Sequence, residues 1–62
     1  MSEDIQRAIR YRNYAEELRL IAADKATPEN RQRLISAAED YDRMADSLEA
    51  VDRTKRAQGR PR

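Results

Sequence analysis

The amino-acid sequence predicts an all-α fold: an antiparallel two-helix hairpin that assembles with a second copy as a dimeric four-helix bundle. Two segments carry apolar residues at helical spacing, and the pair Thr27-Pro28 separates them. The 62 residues leave room for one small domain, and without Cys or His the chain lacks disulfides and the usual zinc ligands. Such a domain needs another source of stability, and we expect association with a second copy to supply it.

The first helix is expected to run from about residue 3 to residue 25. Ser2 suits the N-cap position, and Glu3 and Asp4 complement the positive end of the helix dipole. The apolar residues recur at helical spacing and share one side of this helix. They are Ala8, Tyr11, Tyr14, Ala15, Leu18, Ile21 and Ala22.

The second helix is expected from residue 28 to about residue 55, so that residues 1–56 form the hairpin. Thr27 suits the N-cap, and Pro28 suits the first helical position because its missing N–H has no helical partner there. Residues 57–62 contain Gly and Pro and no apolar anchor, and they are predicted to form a disordered basic tail. The apolar band of the second helix comprises Leu34, Ala37, Ala38, Tyr41, Met44, Ala45, Leu48 and Val51.

The short connection makes the two helices antiparallel, and it fixes which residues face each other. The expected neighbours are Leu18 with Leu34 or Ile35, Tyr11 with Tyr41, and Ala8 with Ala45. On a helical wheel the band of the second helix is about 140° wide, which is more than one partner helix covers. The width of this band therefore predicts two hairpins that cover each other.

Nine large side chains are predicted to form the core and the interface between copies. They are Tyr11, Tyr14, Leu18, Ile21, Leu34, Tyr41, Met44, Leu48 and Val51. A second apolar set, Ile5, Ile9, Leu20 and Ala23, falls on the opposite side of the first helix. Because Arg12 and Glu16 lie between its members, we interpret this set as isolated exposed residues rather than as a second contact surface.

The charge distribution is uneven although the formal net charge is only +1. Residues 26–52 carry seven acidic and three basic side chains, whereas residues 53–62 carry five basic side chains and no acid. The candidate nucleic-acid contacts are therefore Arg53, Lys55, Arg56, Arg60 and Arg62. We favour the alternative, a solvated end that complements the helix dipole, because the segment has no aromatic residue to stack on bases.

The acidic residues Asp42, Asp46 and Glu49 lie on one face of the second helix and could suggest a metal site. Carboxylate metal sites in helical bundles use Glu-x-x-His pairs, and this chain has no His. We instead expect Arg7 and Arg10 of the first helix to pair with these acids. The sequence predicts no metal and no cofactor.

Catalytic chemistry has little support in the sequence. The serines have no histidine to activate them, and the only glycine, Gly59, cannot form a glycine-rich phosphate loop. The longest apolar run, residues 20–23, is far shorter than the ~20 residues that span a bilayer. We therefore expect a cytoplasmic protein that is not an enzyme and does not enter a membrane.

Two segments of the chain form a recognisable pattern: YRxxAEELRxIA, from Tyr11, and RxxLxxAAxDYxRMAxSLE, from Arg31. By these segments the chain resembles an uncharacterised family of short helical-hairpin proteins from rhizobia and related alphaproteobacteria. The likeness covers about residues 11–55 and brings no catalytic or binding residues with it. In architecture alone the chain also resembles the plasmid copy-number protein Rop, a dimeric hairpin that binds RNA, and this likeness implies a polar face of Gln6, Arg10, Asn13 and Tyr14.

The function that the sequence predicts is a small non-enzymatic module for helical interaction and self-assembly. Its expected partner is a second copy in a homodimer or a higher homo-oligomer. An unidentified protein partner is one alternative. A nucleic-acid-binding accessory or regulatory protein that uses the basic C-terminal segment is the other.

Overall fold

The computed structural model describes residues 2–59, which form two antiparallel helices. Helix α1 spans Glu3–Asp24 and helix α2 spans Pro28–Gln58. The predicted all-α hairpin is therefore confirmed. The extents of the molecule, 55 × 16 × 11 Å, are those of a single layer of two helices, so each broad face of the hairpin is open to a partner.

Both helices begin at the predicted caps. The Ser2 hydroxyl accepts a hydrogen bond from the backbone N–H of Ile5 at 3.1 Å, and the Thr27 hydroxyl accepts one from Asn30 at 3.3 Å. Pro28 occupies the first turn of α2. These bonds satisfy backbone donors that have no partner inside a helix. The chain breaks at Thr27 because Pro28 disfavours the helical conformation of the residue before it.

Helix α2 runs three residues beyond its predicted end. Ala57 and Gln58, which we expected in a disordered tail, are helical, and the backbone N–H of Gly59 donates to the carbonyl of Lys55 at 2.8 Å. The prediction was wrong at this point because no residue before Gly59 opposes a helix. The remainder of the predicted tail, residues 60–62, lies outside the described residues.

The centre of the hairpin is a seam of alanines. The buried residues Ala8, Ala15 and Ala22 of α1 lie against the buried residues Ala38 and Ala45 of α2, and the spacing within each row is seven residues. Seven residues are two helical turns, so each row keeps to one line along its helix. Small side chains let the two helices approach closely.

The seam changes the expected role of the nine large apolar residues. Within residues 2–59 no large side chain is fully buried, and the core of the single hairpin consists of alanines. Tyr11 and Tyr41 lie level, as predicted, with ring centroids 5.7 Å apart. Because the alanines occupy the line of contact, the large residues beside them are displaced to the flank of the hairpin.

Candidate interaction surface

The nine large residues lie along one flank of the hairpin, which we call the aromatic face. Its members are Tyr11, Tyr14, Leu18, Ile21, Leu34, Tyr41, Met44, Leu48 and Val51. Three tyrosines form its centre: the ring of Tyr14 lies 6.4 Å from that of Tyr11 and 5.5 Å from that of Tyr41. The other members continue the face toward the loop and toward the open end of the hairpin.

Much of the aromatic face is exposed in the single hairpin. The exposed fraction is 47% for Tyr14, 48% for Ile21, 40% for Met44 and 44% for Val51. The other five residues are half-buried. Exposed apolar residues that occur singly are common, but several on one face make that face a candidate interaction site.

Shallow grooves indent the aromatic face on either side of the tyrosines. The groove toward the open end has a volume of about 370 Å³, and its lining residues are Arg7, Tyr11, Arg43, Met44, Ser47 and Leu48. The groove toward the loop has a volume of about 390 Å³, and its lining residues are Ile21, Lys25, Ala26, Asn30, Arg33 and Leu34. Each groove has an apolar floor and a basic rim. Sequence reasoning did not include Arg7 and Arg43 in this face, although their helical positions next to its apolar residues were a usable signal.

The opposite flank, which we call the ion-pair face, carries charged residues. The guanidinium of Arg12 lies 2.7 Å from Asp46, 2.7 Å from Glu49 and 3.6 Å from Asp42. Arg19 also binds Asp42. Hydrogen bonds to Glu49 and Asp46 raise the pKa of Arg12 above its usual value, and the hydrogen bond to Asp42 does the same to the pKa of Arg19.

The expected ion pairs from Arg7 and Arg10 are therefore wrong, although the acids are indeed paired with arginine. Arg7 and Arg10 lie level with the acids but on the aromatic side of α1, whereas Arg12 and Arg19 point to the acidic side of α2. The prediction placed Arg7 and Arg10 at the correct level along the hairpin. It did not fix the rotation of α1 about its own axis, which determines which arginines reach the acids. Within residues 2–59 no group of three His, Cys, Asp or Glu side chains could hold a metal ion.

The open end of the hairpin is held by a buried carboxylate. Asp52 is only 4% exposed, accepts a hydrogen bond of 2.6 Å from the Ser2 hydroxyl and pairs with Arg56 at 2.8 Å. Lys55 pairs with Asp4 at 3.0 Å. Asp52 thus occupies the next position in the row of Ala38 and Ala45, and it joins the N-cap of α1 to α2.

The candidate nucleic-acid contacts divide into three groups. Lys55 and Arg56 form the ion pairs just described, and Arg53 is exposed near the end of α2. Arg60 and Arg62 lie outside the described residues. Two of the predicted phosphate contacts therefore already have carboxylate partners within the hairpin.

Two other predicted surfaces lie on α1. Leu20 is 65% exposed on the ion-pair side of α1, where Arg12 separates it from Ile5.

The polar face suggested by the likeness to Rop is exposed along α1. Gln6, Arg10 and Asn13 are exposed, and Tyr14 lines a pocket together with Arg10 while it also belongs to the tyrosine cluster. The aromatic face differs from both surfaces because it joins large apolar residues of the two helices.

Comparisons with protein-family models, with curated proteins and with solved structures find no match to this chain. Neither helix of the described residues is long and apolar enough to cross a membrane.

Proposed function

We propose that this chain is a small non-enzymatic interaction module that self-associates through its aromatic face. One observation carries the proposal: the single hairpin buries alanines in its core and leaves its large apolar side chains on one face. Fully burying a side chain such as Leu, Ile or Met contributes about 1.5–3 kcal/mol. Because four of the nine residues are exposed and five are half-buried in the single hairpin, a partner that covers them adds part of this free energy for each residue.

The dimensions of the hairpin suit a second copy. The broad side of the hairpin measures 55 by 16 Å, and the aromatic face lies along the middle of this length. A second hairpin of the same length and width would therefore cover the whole face in one step.

A second copy fits the chemistry of the face better than an unrelated surface does. Both helices contribute tyrosine and large aliphatic residues, so the face is complementary to itself in composition. Two such layers stacked on each other give a four-helix bundle, in which the nine residues fill the centre and the ion-pair faces point to solvent.

Sedimentation velocity over a dilution series tests this proposal. We expect a species of twice the chain mass of 7.3 kDa that dissociates only on dilution. A helical species that stays at 7.3 kDa at every concentration would exclude self-association as the function of the face.

A second candidate function is nucleic-acid binding through the basic C-terminal segment. The exposure of Lys55 and Arg56 supports it, since their side chains remain 69% and 72% accessible within their ion pairs. Gel shifts with DNA and RNA test it: binding should weaken steeply with salt and disappear when residues 53–62 are removed. No shift even at low salt would exclude this function.

A further inference from the structure

We infer that the two copies associate about a two-fold axis parallel to the long axis of the hairpin. In this arrangement α1 of each copy lies antiparallel to α2 of the other, and both loops lie at the same end of the bundle. The inference rests on the proposed self-association and specifies its geometry. Three features of the aromatic face support it: the sizes of its side chains, the charges at its edges and the register of the hairpin.

The rows of residues that would meet differ in size. On α1 the row one position before the alanine seam is Arg7, Tyr14 and Ile21, and on α2 it is Ala37, Met44 and Val51. Within the chain, Tyr11 lies level with Tyr41. If the two copies keep the same register, Tyr14 lies beside Ala37 of the second copy. At this level a large side chain faces a small one, which favours close packing, and the same register places Arg7 near the level of Met44.

The charges at the outer edges of these rows are complementary. In the same register Arg10 lies within one helical turn of Asp40 of the second copy, and Glu17 lies within one turn of Arg33. Within residues 2–59 no salt bridge of the single hairpin involves Arg10, Glu17 or Arg33, whereas Asp40 pairs with Arg43 of its own chain at 3.5 Å. The two-fold axis repeats both pairs, so four ion pairs would border the interface.

The other two-fold arrangement places the axis perpendicular to the helices. In that arrangement α1 packs antiparallel on α1 of the second copy, and α2 packs antiparallel on α2. Stacking the tyrosine clusters in that arrangement places two α1 rows with large residues against each other. Large side chains that face each other oppose close packing, and hence this arrangement.

A parallel axis makes the dimer polar. Both loops would lie at one end, and both α2 ends with Arg53, Lys55 and Arg56 would lie at the other. The two ends of the assembly would then differ in charge and shape, so that one end alone presents the basic segments as a pair.

Pulsed electron paramagnetic resonance on spin-labelled variants tests the arrangement. The chain has no cysteine, so Asp24→Cys at the end of α1 and Gln58→Cys at the end of α2 each introduce one label per chain at an exposed position outside the grooves of the aromatic face. Helix axes in bundles are 8–10 Å apart, so the parallel axis predicts label separations below about 30 Å at both sites. The axis across the helices predicts about 40 Å or more at both sites, since each lies roughly 20 Å or more from the tyrosine level.

The molar mass of each labelled sample is measured in parallel. It distinguishes a failure of the proposed self-association from a failure of the proposed axis. Short distances at both sites in a dimer support the parallel axis. Long distances at both sites in a dimer overturn this geometry and leave self-association intact. A monomeric mass without dipolar coupling overturns self-association itself.

Discussion

Tyr11 of α1 and Tyr41 of α2 stack on each other, with ring centroids 5.7 Å apart and an interplanar angle of 25°. The pair shows that Tyr11 and Tyr41 lie level in the hairpin, and it lies at the middle of the aromatic face. Tyr14 packs against both rings and is 47% exposed. The same cluster therefore joins the two helices within one chain and presents the surface that we assign to the second copy.

Replacing Tyr41 or Leu48 with Asp should abolish assembly. Either change places a carboxylate at the centre of an apolar interface, and burying an unpaired charge costs several kcal/mol. A loss of about 3 kcal/mol weakens a dimer roughly a hundredfold. Leu20→Asp is the matched control because Leu20 is 65% exposed on the other flank, and its variant should keep the dimeric mass in sedimentation. Equal masses for all the variants would contradict the assignment of the face.

Replacing Arg12 with Gln should lower the melting temperature. The variant leaves Asp42, Asp46 and Glu49 close together on one face of α2 without their shared cation. Arg53→Gln removes the same charge from an exposed site and should have a smaller effect. Thermal melts at low and high salt give the readout, since salt screens the repulsion and should narrow the difference between the two variants. A difference that does not change with salt would show that Arg12 acts by packing.

Replacing Ala15 with Leu should destabilise the hairpin by about 1–3 kcal/mol in the free energy of unfolding. Ala15 is fully buried in the alanine seam, and three extra carbon atoms would force the helices apart. Ala23→Leu makes the same change at an exposed position of α1 and should alter stability by less than about 0.5 kcal/mol. Urea unfolding of both variants provides the comparison, and equal stabilities would argue against a close alanine seam.

Dilution should lower the melting temperature of the unmodified chain. When folding is coupled to association, the partner acts as a ligand of the native state, and its concentration sets the apparent stability. The alanine core and the exposed large residues predict this coupling. Circular dichroism melts at several concentrations measure it. A melting temperature independent of concentration would show that the single hairpin is stable without a partner.

The helices and the aromatic face could be predicted from the sequence, whereas the extent to which each side chain is buried could not. Ser2, Thr27 and Pro28 mark helix starts by local chemistry that does not depend on packing. The apolar stripes identified the side of each helix that carries the alanine seam and the aromatic face. Periodicity does not say which members of a stripe lie on the line of contact, so the large residues were assigned to the core that alanines occupy.

The partners of the acidic residues illustrate the same limit. The level of Arg7 and Arg10 along the hairpin suggested that they pair with Asp42 and Asp46, but the alanine seam fixes the rotation of α1 and directs Arg12 to these acids. The seven-residue spacing of Ala8, Ala15 and Ala22 was visible in the sequence. This spacing would have predicted the rotation of α1 and therefore which residues lie on the aromatic face and which lie on the ion-pair face. The burial of Asp52 depends on a contact with Ser2 across fifty positions of the chain, for which the sequence offers no local signal.

The most direct test of the central claim is the molar mass of the unmodified chain by light scattering, with circular dichroism on the same sample. A helical species of twice 7.3 kDa is the predicted result, because the aromatic face should be covered by a second copy. A fully helical species of 7.3 kDa would contradict the account, since the hairpin would then be stable with its aromatic face exposed to water.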